Sequence, residues 1–167
     1  MTRALPGRRT SERDDARRGP SPGTGGRPSK TVDATTRAEL EQFLDQFADV
    51  FAKGDLAALA GHYVTPVLFV TEWDAATFDS TRELAEGFRH VVAEHRDRGM
   101  VSLSYRVETV FKPAPRIIEV GVRWTFHDAE GQALLQDRYR YLLRRVDDEG
   151  LRINAVVVLG GSSVPSP

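Results

Sequence analysis

The stretch Glu119-Val120-Gly121-Val122-Arg123-Trp124-Thr125-Phe126 decides the fold, because its apolar residues alternate with polar or small ones. A period of two is typical of a β-strand that has one face on a core and the other toward water. The same alternation occurs at 101–111, where Val107 and Phe111 share a face, at 136–145, and again from residue 151. Turn-forming residues separate these segments at 113–115, 128–131 and 147–150. The second half of the chain is therefore predicted to form four antiparallel strands joined by hairpins.

The first half of the chain has a helical period instead. Apolar residues recur every three or four positions between 40 and 51 and again between 84 and 95. Two capping boxes, Thr36-Arg37-Ala38-Glu39 and Ser80-Thr81-Arg82-Glu83, predict where these helices begin. Asp55 is expected to cap a shorter helix between them, and residues 66–71 to form a short buried strand. The predicted fold is α+β, with three N-terminal helices packed in the concave face of a curved antiparallel β-sheet.

Charge and composition divide the chain into a domain and two tails. Residues 1–30 hold eight basic and three acidic residues, a net charge of +5, whereas the rest of the chain carries −6. Residues 1–34 are expected to be a disordered, basic, Gly/Pro-rich tail, because such a composition buries little apolar surface. Residues 35–160 are expected to form one domain and 161–167 a flexible C-terminal tail. An acidic domain offers no basic surface for nucleic acid, so no nucleic-acid partner is predicted.

Several classes of function are excluded by what the sequence lacks. The chain has no cysteine, so a disulfide framework, a thiolate metal site and cysteine catalysis are ruled out. No segment approaches the roughly 18 apolar residues that span a bilayer, and the basic N-terminus lacks the apolar core of a secretory signal. A cytoplasmic protein without membrane contact is therefore predicted. The four histidines lack the spacing of helix-borne zinc motifs, so no metal is predicted.

Strand alternation places one carboxylate among aromatic residues. In 136–145 the apolar residues Tyr139, Tyr141 and Leu143 share their parity with Asp137, and arginines occupy the other face. On a concave face Asp137 would be desolvated, which raises a carboxylate's affinity for its proton and suits it to general acid–base catalysis. The alternative is that Asp137 lies at the solvent end of its strand, where it pairs with an arginine or caps a turn.

His95 is the second candidate for chemistry. It lies on the apolar stripe of the third helix, one turn beyond Val91. A neutral imidazole near a cavity could act as a base, but the same position also suits a histidine whose role is confined to the core or the helix end.

The junction Phe47-Ala48-Asp49-Val50-Phe51-Ala52-Lys53-Gly54-Asp55-Leu56 resembles that between helices one and two of the NTF2-like superfamily, which includes ketosteroid isomerases and SnoaL-type polyketide cyclases. The four C-terminal strands are similar too, so the resemblance covers residues 36–160. It implies a cone whose sheet wraps the long helices and leaves an apolar cavity at the open end. Many members dimerise through the sheet, and the superfamily includes enzymes, binders and assembly modules.

The resemblance transfers only one residue of the ketosteroid isomerase site. Asp137 falls where those enzymes have a hydrogen-bonding pocket aspartate. Their oxyanion-donor tyrosine corresponds to Phe47 and their general base to Thr71, so steroid isomerisation is disfavoured. Epoxide hydrolases of the superfamily need a carboxylate on the last strand, and residues 154–158 contain none.

The resemblance and the alternation together predict an apolar cavity with aromatic walls. Trp73 and Phe78, between the first strand and the third helix, are expected to be either a lid over a ligand or a plug in the core. The predicted lining residues are Phe47, Phe51, Tyr63, Phe69, Trp73, Phe88, Trp124, Phe126, Tyr139 and Tyr141.

Two functions of different classes follow from these features. The first is a SnoaL-like small-molecule pocket protein that binds an apolar or polycyclic metabolite. If it is an enzyme, Asp137 is the acid–base residue of a proton transfer of the isomerase, cyclase or dehydratase type, which needs no organic cofactor. The second is a non-catalytic dimerisation or accessory module whose cavity is filled by side chains. A cavity of roughly 300 Å³ or more favours the first function, and a filled cone favours the second.

A homodimer is predicted from the last strand. Its alternation places Val156 and Val158 on the convex face, where a monomer would have polar residues.

Overall fold

A computed structural model describes residues 32–160 of the chain. Within this range the chain forms three helices and six strands. The helices are α1 (Ala34–Lys53), α2 (Leu56–Ala60) and α3 (Thr81–Asp97). The strands are β1 (Tyr63–Val70), β2 (Ala75–Phe78), β3 (Ser102–Ala114), β4 (Ile117–His127), β5 (Ala133–Val146) and β6 (Gly150–Gly160). The two predicted tails, 1–34 and 161–167, lie outside the described residues except for positions 32–34.

The helix ends follow the sequence signals with one exception. Ser80 caps α3 and its hydroxyl accepts a hydrogen bond from the Glu83 amide, as predicted. Asp55 caps α2 in the same way. The capping box at Thr36 was wrong, because Asp33 caps α1 and accepts hydrogen bonds from both the amide and the hydroxyl of Thr36. An aspartate is as good a cap as a threonine, so the helix begins three residues earlier.

The sheet is mixed and open, with strand order β2-β1-β6-β5-β4-β3. Strands β3 to β6 form the predicted antiparallel meander. The expectation of a wholly antiparallel sheet was wrong at one place, because β1 pairs with β6 in parallel. Strand β2 and helix α3 separate β1 from the meander along the chain, so the β1–β6 pair is formed by distant segments and has no hairpin signal.

The sequence suggested that the segment between β1 and α3 is a loop, but part of it is a strand. Residues Ala75–Phe78 form β2, which pairs with β1 in antiparallel register. Phe78 is fully buried at the end of β2 and packs edge-on against Phe69, with 5.5 Å between the ring centroids. Phe78 is therefore part of the core.

Two bulges change which residues face the core. On β3, Val107 pairs with Val122 and Thr109 with Gly121, so Glu108 is an extra residue. On β6, Ile153 pairs with Leu143 and Ala155 with Leu142, so Asn154 is an extra residue. Each extra residue reverses the alternation beyond it.

Both bulges correct an expectation. Beyond Glu108, Val110 packs against the core, whereas Phe111 turns outward and is 39 % exposed. Beyond Asn154, Val156 is buried in the core and Val158 packs against it, so neither lies on the convex face as predicted. Ala155 and Val157 take the outward positions instead.

Candidate functional site

A small cavity lies between the helices and the concave face of the sheet. Its volume is about 40 Å³. Its lining is almost wholly apolar and consists of Phe47, Phe51, Tyr63, Phe69, Phe88, Val91, His95, Leu103, Trp124, Phe126, Tyr139 and Val156. Leu103 and Tyr139 are the half-buried members of this set, so they mark the side that reaches solvent. The cone is largely filled by its own aromatic side chains.

Asp137 is buried in the wall beside this cavity. The carboxylate is 1 % exposed, on the concave face of β5 with Tyr139, Tyr141 and Leu143. The Tyr139 hydroxyl donates a hydrogen bond to its Oδ2 atom over 3.3 Å. The alternative position at the solvent end of the strand does not match this burial. A negative charge here has few water molecules to solvate it.

His95, on helix α3, lies next to Asp137, which is on strand β5. Its ring is 2 % exposed on the last turn of α3, and Nε2 lies 4.0 Å from Oδ2 of Asp137. Nδ1 donates to the Val91 carbonyl over 2.7 Å. Phe126 packs against the ring at 4.3 Å between centroids, and Phe51 meets it edge-on at 5.7 Å. The two candidate residues from the sequence are thus brought together.

The tyrosines of the concave face are held in their neutral form. Burial raises the pKa of Tyr139, and the negative charge of Asp137 raises it further. Burial likewise raises the pKa of Tyr63 and of Tyr141. Each phenol therefore keeps its proton over the ordinary pH range, and the Tyr139 hydroxyl donates to Asp137.

Two of the predicted lining residues lie elsewhere. Trp73 is 87 % exposed in the tight turn between β1 and β2, so it neither covers nor lines the cavity. The Thr71 hydroxyl accepts hydrogen bonds from the amides of Trp73 and Asp74, and this turn points the indole away from the cone. Tyr141 is buried behind the cavity wall, where its hydroxyl accepts a hydrogen bond from the Trp124 indole over 2.9 Å.

Three lining residues were not named from the sequence. Val91 and Leu103 carry the right signals, because they lie on the apolar stripe of α3 and on the inward parity of β3. Val156 carries no such signal, because only the bulge at Asn154 turns it inward.

The opposite face of the sheet carries a charged cluster around the Glu108 bulge. Its carboxylate lies 2.7 Å from Arg123, 3.0 Å from Arg138 and 3.5 Å from Arg106. These ion pairs lower the pKa of Glu108, with the hydrogen bond from Arg123 as the largest cause. Arg123 and Arg138 are therefore paired with one carboxylate across strands.

The described residues contain no group of three or more side chains that could hold a metal ion. No helix within 32–160 combines the length and the apolar character that crossing a membrane requires.

Helices packed against one face of an open, six-stranded sheet define a protein of the NTF2-like fold class. In this chain the fold places a buried acid and a histidine beside an apolar cavity. The chain belongs to the family described as NTF2-like protein (DUF6841), whose sequence profile matches residues 38–160. No functionally curated protein is significantly similar to it.

Solved structures share the fold at low sequence identity. Aln2 from a Streptomyces species superposes with a TM-score of 0.61 at 18 % identity, over 77 % of this chain and 93 % of Aln2. A cystatin-like domain of unknown function from Nostoc punctiforme gives 0.60 at 14 %, over 80 % and 82 % of the two chains. A protein from Catenulispora acidiphila in complex with S-DNPA gives 0.54 at 14 %, over 75 % and 95 %. These likenesses concern the fold.

Proposed function

We propose that this chain is a SnoaL-like small-molecule pocket protein that binds an apolar or polycyclic metabolite in the cone. In this proposal the pair Asp137 and His95 carries out the acid–base steps of a cofactor-free proton transfer of the isomerase, cyclase or dehydratase type. The observation that carries the proposal is the burial of Asp137, at 1 % exposure, between the Tyr139 hydroxyl and the His95 ring. Burying a carboxylate and an imidazole in an aromatic core is costly for stability, and such groups are concentrated at functional sites.

The size of the cavity sets a condition on this function. A volume of about 40 Å³ holds water but no ring system, and ligand sites have roughly 300 Å³ or more. A metabolite therefore enters only after side chains move. The half-buried residues Leu103 and Tyr139 are the ones that can move into solvent without crossing the core.

Native mass spectrometry of the freshly purified full chain tests the proposal. We expect a bound small molecule in addition to the mass of the chain. In Val156→Phe the larger ring fills the cavity without replacing Asp137 or His95, so the bound molecule should be lost. Val157→Phe is the matched control, because Val157 is adjacent in sequence but faces outward. A ligand-free wild-type spectrum contradicts the proposal, as does equal loss in both variants.

A second function is favoured by two other observations. The cone is filled to within about 40 Å³, which is what a dimerisation or accessory module requires. In addition, Leu68, Ala155 and Leu142 form a row across three neighbouring strands on the outer face. In this alternative the sheet binds a second copy of the chain and the cavity has no ligand.

A further inference from the structure

The ring of His95 has a defined chemical orientation. A carbonyl oxygen only accepts hydrogen bonds, so the 2.7 Å contact between Nδ1 and the Val91 carbonyl places the proton on Nδ1. In the neutral ring Nε2 then carries a lone pair. Within residues 32–160, Nε2 is fully buried and has no hydrogen-bond partner. The contacts with Phe51 and Phe126 prevent the ring from turning to find one.

The Asp137 carboxylate places a second hydrogen-bond acceptor, Oδ2, near Nε2 of His95. Its Oδ2 atom lies 4.0 Å from Nε2, well beyond the roughly 2.7–3.2 Å of a direct hydrogen bond. A charged imidazolium–carboxylate pair would also be closer, at about 2.7–2.9 Å. An ionised carboxylate and an unprotonated nitrogen repel each other unless a donor lies between or beside them. The Tyr139 hydroxyl already donates to Oδ2, so Nε2 is the atom at this point that still lacks a donor among residues 32–160.

The cavity lies beside the ring and supplies room for such a donor once a side chain next to the fully buried Nε2 moves. His95 and Tyr139 both line it, whereas Asp137 lies in the wall behind Tyr139. Its volume of about 40 Å³ exceeds the roughly 10–15 Å³ that one water molecule needs. Apart from the phenol hydroxyls of Tyr63 and Tyr139, the rest of the lining is apolar, and an imidazole nitrogen is a stronger acceptor than a phenol oxygen.

We propose that Nε2 of His95 is the point at which the cone binds a hydroxyl group. The hydroxyl belongs to a water molecule or, in the complex, to an alcohol, phenol or enol that reaches Nε2 when the side chains around it move. His95 is then the side chain that touches the ligand, and Asp137 is a positioning residue that acts through His95. This inference rests on the proposed pocket function and names the chemical group that the pocket recognises.

The same geometry permits one balanced proton transfer. The O–H bond of the ligand breaks, its electron pair stays on the oxygen, and the proton forms an N–H bond at Nε2. The imidazolium that results is stabilised by the Asp137 carboxylate at 4.0 Å. Return of the proton to a ligand carbon completes an enol-to-ketone isomerisation without any co-reactant.

Nitrogen-15 NMR of the histidine side chains in the full chain tests the inference. At pH 8 we expect His95 to be protonated on Nδ1 alone. Methanol is the probe, because it is the smallest organic hydroxyl donor, and acetonitrile is the control probe, because it is small but has no O–H group. Methanol should shift the His95 Nε2 resonance in a saturable way, and acetonitrile should not.

His62 provides an internal control. Its Nδ1 atom makes the same kind of contact, 2.9 Å from the Ala58 carbonyl, and its ring packs on Phe43 and Phe47, but it does not line the cavity. Its resonances should not respond to methanol in this way. Tyr139→Phe should retain the His95 response, because the proposed acceptor is Nε2. In methanol-free buffer, a nuclear Overhauser contact between water and His95 identifies water as the resting occupant, and methanol should displace it.

The inference is overturned if Nε2 is protonated at pH 8, or if both probes shift it equally. Its failure is separable from failure of the pocket function. A co-purified ligand together with an unresponsive Nε2 removes the hydroxyl site and leaves the pocket. A ligand-free protein whose Nε2 still responds to methanol removes the metabolite and leaves the hydroxyl site.

Discussion

Asp137 is buried against a tyrosine hydroxyl and a histidine ring. Asparagine has the same shape and still accepts the Tyr139 hydrogen bond, but it carries no charge that must be desolvated. We therefore expect Asp137→Asn to leave the free energy of unfolding unchanged or to raise it by about 1 kcal/mol. Any proton-transfer activity should be lost. Chemical denaturation measures the stability.

A carbon-13 NMR titration of the Asp137 carboxyl provides the complementary measurement. Its midpoint should lie above the roughly 3.9 of a free aspartate, because burial disfavours the charged form. A carboxyl group that holds its proton more tightly when folded makes stability fall as the pH rises through that range. A midpoint at or below that of a free aspartate, or a large loss of stability in Asp137→Asn, would remove Asp137 as an acid–base candidate.

The buried hydrogen bond between Trp124 and Tyr141 contributes to the stability of the fold through a single hydroxyl oxygen, that of Tyr141. The indole N–H donates to the Tyr141 hydroxyl over 2.9 Å, and both side chains are buried. Tyr141→Phe leaves that donor without its acceptor, so we expect a loss of about 1–3 kcal/mol in denaturant unfolding. Tyr105→Phe is the matched control. Its hydroxyl donates to the exposed Asp45 carboxylate, where water can replace the lost donor, so the loss should be smaller.

At the scale of residues, the sequence predicted the aromatic walls and the burial of Asp137, because both follow from strand parity within one regular stretch of β5. It did not predict the distance between Asp137 and His95, because these residues are on different elements. It also placed Trp73 wrongly. A tryptophan in a loop carries no parity, so its direction depends on the turn formed by Thr71 and Asp74.

Among the elements, α1 depends on a cap that titrates. The pKa of Asp33 is lowered from 3.8 to about 2. The hydrogen bond from the Thr36 amide is the largest cause, the one from the Thr36 hydroxyl is the next, and Lys112 contributes less. A carboxylate whose folded pKa is depressed stabilises the protein above its unfolded pKa, and this contribution is lost as the pH falls. We therefore expect the melting temperature to fall between about pH 4 and pH 2, in part through Asp33.

Substitution of Asp33 separates the cap from its charge. Asp33→Asn keeps a good capping acceptor that does not titrate, so its melting temperature near neutral pH should be close to that of the wild type, with a shallower acid slope. Asp33→Ala should lower the melting temperature at neutral pH and also flatten the acid slope. An acid slope unchanged in both variants would show that Asp33 contributes nothing to acid unfolding.

The bulge at Asn154 gives a prediction about the register of β6. Ile153 pairs with Leu143 and Ala155 with Leu142, so removal of Asn154 would leave a regular ladder with Val156 still inward. We expect the Asn154 deletion to fold, with the cooperative unfolding of the wild type and a reduced melting temperature from the changed twist.

A matched deletion provides the contrast. Arg140 is a regular position on β5, opposite Gly121 and Val157, so its deletion turns Asp137 and Tyr139 to the wrong face of the sheet. That variant should fail to unfold cooperatively in a thermal melt followed by circular dichroism. If both deletions behave alike, Asn154 is not an extra residue in the ladder.

The bulges also mark the limit of prediction at the element scale. Helix periods and hairpin turns are local signals, and the sequence predicted α1 to α3 and the meander from them. No glycine or proline is adjacent to Glu108 or Asn154, so no sequence signal marks the reversal of parity after each of them. Strand β2 and the parallel pairing of β1 with β6 depend on contacts between distant segments, which periodicity does not report.

For the whole molecule, the outer face of the sheet is where a second copy would bind. The bulge at Asn154 removes Val156 and Val158 from this face, but it places Ala155 there between Leu68 and Leu142. Leu68 and Leu142 are 39 % and 37 % exposed, which is unusual for leucines in one cross-strand row. The homodimer remains a prediction, now based on different residues from those that the alternation suggested.

The same row extends toward the sheet edge. Leu142 pairs with Glu119, and Glu119 pairs with Phe111, which the bulge at Glu108 turns outward. Glu119 also lies 3.4 Å from Arg140, so the row has apolar residues on both sides of an ion pair. A surface of this kind is self-complementary about a two-fold axis, because apolar residues can meet apolar residues while the charges exchange partners.

Light scattering at micromolar concentration decides this prediction. The full chain should have a mass near twice 18.6 kDa. Leu142→Lys places a charge in the centre of the apolar row and should shift the mass toward that of one chain, with the melting temperature almost unchanged. Trp73→Lys is the matched control, because Trp73 is more exposed but lies outside the row, and it should leave the mass at two chains. A single-chain mass for the wild type would contradict the dimer and, with it, the accessory-module function that depends on it.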